Sequence, residues 1–150
     1  MKSEDYEREH YARYAEFAEI IALILQKAID ASDGPRPQSI QHRAKSPKSL
    51  RDRLAETDKL ESDSIENDRR DLAGVRLIFY TNTDIDRFLN SRVIFENFEI
   101  ERDATRIHHP TKENDERRYR AIHYTVRLKE NRAKLPEYSK FEGMRCEIQI

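Results

Sequence analysis

The sequence is poor in glycine, cysteine and long apolar runs, and it carries almost no net charge. Its three glycines, Gly34, Gly74 and Gly143, are far apart, so the glycine-rich phosphate loops of Walker, Rossmann and protein-kinase sites are absent. Any nucleotide phosphates must therefore be held by side chains. The single cysteine, Cys146, excludes an intramolecular disulfide and every multi-cysteine zinc cage, which fits a reducing compartment. The longest unbroken apolar run, Ile20 to Leu25, is too short to span a bilayer, and the charged start does not resemble a signal peptide. A cytoplasmic protein with no membrane partner is expected. Lys and Arg together number 28 against 29 for Asp and Glu, a net charge of -1 that removes the case for a polybasic, histone-like binder. An anion site must come from local segregation of charge.

What is present describes one domain with an economical core. The chain has 150 residues, 37% hydrophobic and 38% charged, so its surface is densely ionic, yet apolar residues recur in ordered patterns. From about Glu4 to Ala31, Tyr14, Phe17, Ile21, Ile24 or Leu25, and Ala28 recur at helical spacing. Gly34 to Pro37 ends that helix, because neither proline continues the hydrogen-bond ladder. Ser39 to Lys45 alternates as a strand, with Ile40, His42 and Ala44 opposite Gln41, Arg43 and Lys45. Ser46-Pro47 starts a helix to about Thr57, with Leu50 and Leu54 inward. Asp58 to Arg70 reads as a loop or short helix, and Val75 to Tyr80 as a central strand buried on both faces. Thr83-Asp84 is expected to cap a helix from Ile85 to Glu96, with Phe88, Leu89, Val93 and Phe95 inward, and a strand begins near Phe98. Tyr119 to Leu128 sets Ile122, Tyr124, Val126 and Leu128 opposite Tyr119, Ala121, His123, Thr125 and Arg127. Met144 to Ile150 repeats the device, with Arg145, Glu147 and Gln149 on its polar face.

Several residue types in these places suit chemistry. Arg43, Lys45, Lys48, Arg51 and Arg53 form either a solvated basic face or a triphosphate cradle, in which guanidinium and ammonium groups replace loop amides. Asp71 and Glu147 are candidate Mg²⁺ ligands, or else a helix cap and an ion-pair partner. Tyr119 and His123 share a strand face, an arrangement for stacking a base or for plain cross-strand packing. His108 and His109 are adjacent and lack the spacing of a zinc pair, and Cys146 falls on an apolar face as core.

Four segments resemble one family. Arg43 to Leu54 is similar to the R-x-K-S-x-x-S-(I/L)-x-x-K-(L/I) motif of RelA/SpoT alarmone synthetases, with Arg53 where lysine is common. Asp71 to Arg76 resembles their D-(I/L)-A-G-(I/V)-R segment, and Tyr119 to His123 their Y-x-S-(I/L)-H motif, with Ala121 in the serine place. Glu147 to Ile150 begins their E-I-Q-(I/V)-R-T motif. The resemblance implies an α+β, nucleotidyltransferase-like fold: a mixed, largely antiparallel sheet of about four or five strands flanked by helices. It divides the chain into an N-terminal helix and turn, 1–38, and a synthetase domain, 39–150, incomplete at its C-terminus. The implied reaction transfers pyrophosphate from ATP to the 3′-hydroxyl of GDP or GTP, giving an alarmone and AMP. Arg43, Lys45 and Arg53 would bind ATP, and Asp71 and Glu147 would be catalytic and hold Mg²⁺. Tyr119 and His123 would bind the acceptor, with Lys112, Arg117, Arg118, Arg102 and Arg106 as candidates for its phosphates and Arg76 in a support or phosphate role. Arg117 and Arg118 stand where the family often has N-G, which leaves a tRNA 3′ end as an alternative acceptor. A catalytically silent nucleotide- or RNA-binding fragment is the remaining reading.

Overall fold

A computed structural model describes residues 1–101, 106–108 and 121–150. Its N-terminal arm is helical almost throughout: α1 (Ser3–Asp5), a π-helical stretch (Tyr6–His10) and α2 (Tyr11–Asp30). The apolar face read from the sequence is the buried one, and Phe17, Ile21 and Leu25 are fully buried. Each contributes about 1.5–3 kcal/mol by leaving water. α2 packs on β1 (Ser39–Ala44) and β2 (Ala73–Ile78), so the helix covers one face of the sheet. α3 (Pro47–Glu56) starts as expected, its N-cap Ser46 Oγ accepting from the Ser49 N–H at 3.2 Å, and buries Leu50 and Leu54. Ser46→Ala should lower stability by about 1 kcal/mol, readable as a small fall in melting temperature.

The remaining elements are α4 (Ile65–Asp68), α5 (Asn82–Asn90), α6 (Val93–Asn97), β3 (Phe98–Ile100), β4 (Arg106–His108), β5 (Ala121–Leu128), α7 (Glu130–Ala133) and β6 (Cys146–Gln149). The sheet runs β1-β2-β6-β5-β3, and β4 also pairs with β5. Only β2 and β6 are parallel, so the sheet is mixed and largely antiparallel as expected. Gly143, in the turn before β6, has φ 77°, a left-handed conformation that glycine adopts without a Cβ clash.

Several boundaries differ from the sequence reading. β2 begins two residues earlier, at Ala73, and only one of its faces is closed: Ala73, Val75 and Leu77 are buried whereas Arg76 is exposed. The apolar run hid this because Gly74 and Ile78 look like core but lie on the half-open side. The expected helix from Ile85 to Glu96 is two helices, since Arg92 takes a left-handed φ of 63° between α5 and α6. Its cap is Thr81, whose Oγ1 accepts from the Asp84 N–H at 3.1 Å, rather than Thr83-Asp84. Phe95 is 45% exposed, with the Arg92 guanidinium 5.5 Å from its ring centre, so it is not the inward residue expected. β4 was missed because three residues are too few to show alternation. Among the described residues, no helix is long and apolar enough to cross a membrane.

Candidate functional site on the open face of the sheet

Residues paired across neighbouring strands point to the same face, so the register lays out the site. Arg43, Gly74, Glu147 and Thr125 form one row across β1, β2, β6 and β5. Gln41, Arg76, Gln149 and His123 form the next. Both rows lie opposite the face that α2 covers, on which Val75, Cys146, Ile148 and Tyr124 are buried. Cys146 is completely buried and its thiol pKa is pushed up by desolvation and by Glu147, which makes it inert core.

A cleft opens at the β1–β2 end of this face, lined by Arg43, Asp71, Gly74, Arg76 and Gln149 among others. Its floor is bare at Gly74. A Cβ there would stand 3.9 Å from the Glu147 carbonyl oxygen and 4.0 Å from that of Arg43, ordinary contacts, so the strand itself does not require glycine. The missing side chain leaves room for something to approach the backbone between Arg43 and Glu147.

Asp71 lies just ahead of β2 as the hub of a cationic clamp. Lys45 Nζ donates to its Oδ2 at 2.8 Å, and Arg69 donates to its Oδ1 through Nε at 3.3 Å and Nη2 at 3.1 Å. Burial alone would raise the carboxyl pKa, but the Lys45 hydrogen bond and charge, with Arg69 behind them, outweigh it and hold it below 3.8. Asp71 is therefore ionised at neutral pH, and it caps no helix. Lys45 is itself anchored through its carbonyl oxygen, which accepts from the hydroxyl of fully buried Tyr6. The N-terminal arm thus fixes the backbone that presents the lysine.

Glu147 sits on β6 with its side chain only 12% exposed. Its Oε1 accepts from Gln149 Nε2 at 2.9 Å and lies 3.3 Å from His123 Nδ1. Among the described residues no hydrogen bond falls on Oε2. The carboxylates of Asp71, just ahead of β2, and of Glu147, on its parallel neighbour β6, are oxygen donors of the kind a divalent metal takes alongside phosphate and water. Each carboxylate oxygen has two lone pairs, so the donors already on Asp71 leave acceptor capacity for a metal. A softer, all-protein cage has no counterpart: among the described residues no group of three His, Cys, Asp or Glu could hold a metal.

The fold brings Arg43, Lys45, Asp71, Arg76, Glu147 and His123 to one face or its edge. Arg43 is exposed on the cleft wall and, among the described residues, forms no ion pair. Arg53 is elsewhere: it lies on exposed α3 beside Glu56, at 3.3 Å, and does not line the cleft. Tyr119, Lys112, Arg117, Arg118 and Arg102 fall outside the described residues, and of Arg106 only the backbone pairing with His123 is described. Sequence reasoning missed Arg69 and the part played by Gln149. Arg69, two residues before Asp71 in a charged stretch, carried no signal, whereas Gln149 carried one in its shared strand phase with Glu147.

Comparison with known proteins bears on the family and the fold. The family model described as the region found in RelA / SpoT proteins matches residues 42–150. Among solved structures, small alarmone synthetase 1 from Bacillus subtilis superposes with a TM-score of 0.72 at 20% identity, covering 97% of this chain and 71% of that one. The same protein bound to AMPCPP gives 0.65 at 18% identity, covering 98% and 69%. A GTP pyrophosphokinase family protein from Streptococcus pneumoniae gives 0.61 at 16% identity, covering 98% and 68%. Among curated proteins, no sequence matches this chain.

Proposed function

The chain belongs to the RelA/SpoT family, and on that premise we propose that it transfers pyrophosphate from ATP to the 3′-hydroxyl of GDP or GTP. One observation carries the reading: Arg43, which forms no ion pair among the described residues, and Asp71, held by Lys45, line a cleft whose floor is free of a side chain at Gly74, the strand neighbour of Glu147. Solved small alarmone synthetase 1 has been seen with AMPCPP and with pppGpp, nucleotides of the kinds this reaction uses and makes.

In the transfer, the acceptor 3′-oxygen forms a bond to the β-phosphorus of ATP and the bond from that phosphorus to the α,β-bridging oxygen breaks. AMP leaves with that oxygen and the hydroxyl proton goes to a base. Such chemistry asks for alignment and for neutralisation of phosphate charge more than for covalent help. Arg43 supplies a guanidinium fork on the cleft wall, and Lys45 an ammonium held against Asp71. Asp71 and Glu147 would hold Mg²⁺, which neutralises phosphate charge when bound. Glu147 also presents a carboxylate oxygen to take the proton, while Gln149 and His123 hold its other oxygen. His123, beside Glu147, would meet the acceptor.

The test is to incubate the protein with ATP labelled in its γ-phosphate and either GDP, GTP or bulk tRNA. Label on guanosine nucleotide with matching AMP supports the proposal. Label on tRNA moves the acceptor to the tRNA end, and label on neither overturns transfer altogether.

Tyr119 gives the acceptor side its own expectation. Stacking of a base on an aromatic ring contributes about 1–3 kcal/mol and does not need the phenol oxygen. Tyr119→Phe should keep most activity, and Tyr119→Ala should raise the acceptor KM about tenfold, with ATP KM little changed. Equal impairment toward both substrates, with a lower melting temperature, would make the ring a packing residue.

A further inference from the structure

Gln149 stands where three strands meet, its Cα paired with Arg76 on β2 and with His123 on β5. Its amide is used at both ends: Oε1 accepts from Arg76 Nη2 at 3.2 Å, and Nε2 donates to Glu147 Oε1 at 2.9 Å. These partners define which way the amide faces. A guanidinium can only donate and a carboxylate can only accept, so turning the amide over would set donor against donor and oxygen against oxygen. Glu147 is a flexible side chain whose ordering costs rotamer entropy, and a carboxylate left to swing is a poor ligand. The amide removes that freedom, since it reaches back along its own strand to the oxygen that His123 Nδ1 approaches from β5 at 3.3 Å. Oε2 is left as the oxygen directed by this anchorage.

We propose that Gln149 is a positioning residue: it holds the Glu147 carboxylate in the orientation that serves metal and acceptor, and through Arg76 it ties that orientation to β2, the strand that follows Asp71. The inference rests on the reading in which Glu147 is a metal ligand. It assigns Gln149 no contact with substrate. The competing role is structural, a side-chain bridge between β2 and β6, and the two separate experimentally because the backbone ladder already joins these strands at Gly74, Val75 and Arg76.

Gln149→Met keeps the length of the side chain and removes both polar ends. Its Mg²⁺ affinity, measured by calorimetry in the presence of a non-hydrolysable ATP analogue, should fall at least about fivefold, with kcat down at least about tenfold and ATP KM within about threefold. In a Glu147→Gln background, the same change should weaken Mg²⁺ no further, because a residue acting through Glu147 has nothing left to act on. Wild-type Mg²⁺ affinity in Gln149→Met overturns the inference and leaves the proposed function standing. So does additive weakening in the double variant, or parallel loss of ATP affinity and melting temperature. If Glu147→Gln alone binds Mg²⁺ like the wild type, the metal-ligand reading itself fails and the role of Gln149 fails with it.

Discussion

Glu147→Gln is expected to cut pyrophosphate transfer by at least about a thousandfold, some 4 kcal/mol of transition-state stabilisation, while the protein stays folded. The change is nearly isosteric but removes the charge that Mg²⁺ needs and the oxygen that would take the acceptor proton. Its structural cost is small, because the neighbouring contacts come from Gln149 and His123 and the strand is held by its backbone ladder. Asp71→Asn should be as damaging to turnover but should also lower the melting temperature. That residue is the common anion of Lys45 and Arg69, and neutralising it leaves two part-buried cations facing an amide. Kinetics and thermal unfolding on the two variants check both statements. Near-wild-type activity in either would remove that carboxylate from the metal site.

The second large effect is on the ATP side, and here the structure separates two residues that the sequence treats alike. Arg43→Ala should raise the ATP KM at least about tenfold, since a charge-assisted contact to phosphate is worth about 1.5–3 kcal/mol, and should leave stability unchanged. Arg43 is exposed and, among the described residues, forms no ion pair. Lys45→Ala should impair ATP use at least as much and also destabilise the protein, because its side chain is only 13% exposed and that of its partner Asp71 only 23%. The deficit should depend on pH. Asp71 has its pKa held below 3.8 in the folded wild type, so its pairing stabilises the fold above that value and is lost as the pH falls through the folded pKa. Without Lys45, only Arg69 opposes desolvation and that contribution shrinks. The stability gap between variant and wild type should therefore be widest near neutral pH and close below 3.8. A gap independent of pH would mean that Lys45 contributes packing rather than charge.

Much of the sheet was legible in the sequence because strand periodicity is a local property. Ile122, Tyr124, Val126 and Leu128, or Cys146 and Ile148, alternate with polar residues because one face is buried in the core and the other is half open. A period of two records that contrast without any knowledge of neighbours. Ser46-Pro47 was equally readable, since a cap acts within three residues. The phases of Glu147 and His123 then followed, and with them the prospect that they share a face. The pairing of the strands did not follow. That β6 lies between β2 and β5 brings Gln149 to Arg76, 73 residues away in sequence, and His123 to Glu147. Asp71 was visible as a carboxylate, but not as one clamped by Lys45 and Arg69, and Arg53 was grouped with Arg43 although the turn into α3 sends it to the outer surface beside Glu56. Alternation and capping are settled by residues a few positions apart, so this chain determined its long N-terminal helix, the Ser46-capped helix, the polar faces of β5 and β6 and the residue types at the site on its own. Which side chains restrain each carboxylate, and which cations pair with them, depends on strand order and distant contacts, and only the tertiary structure decided those.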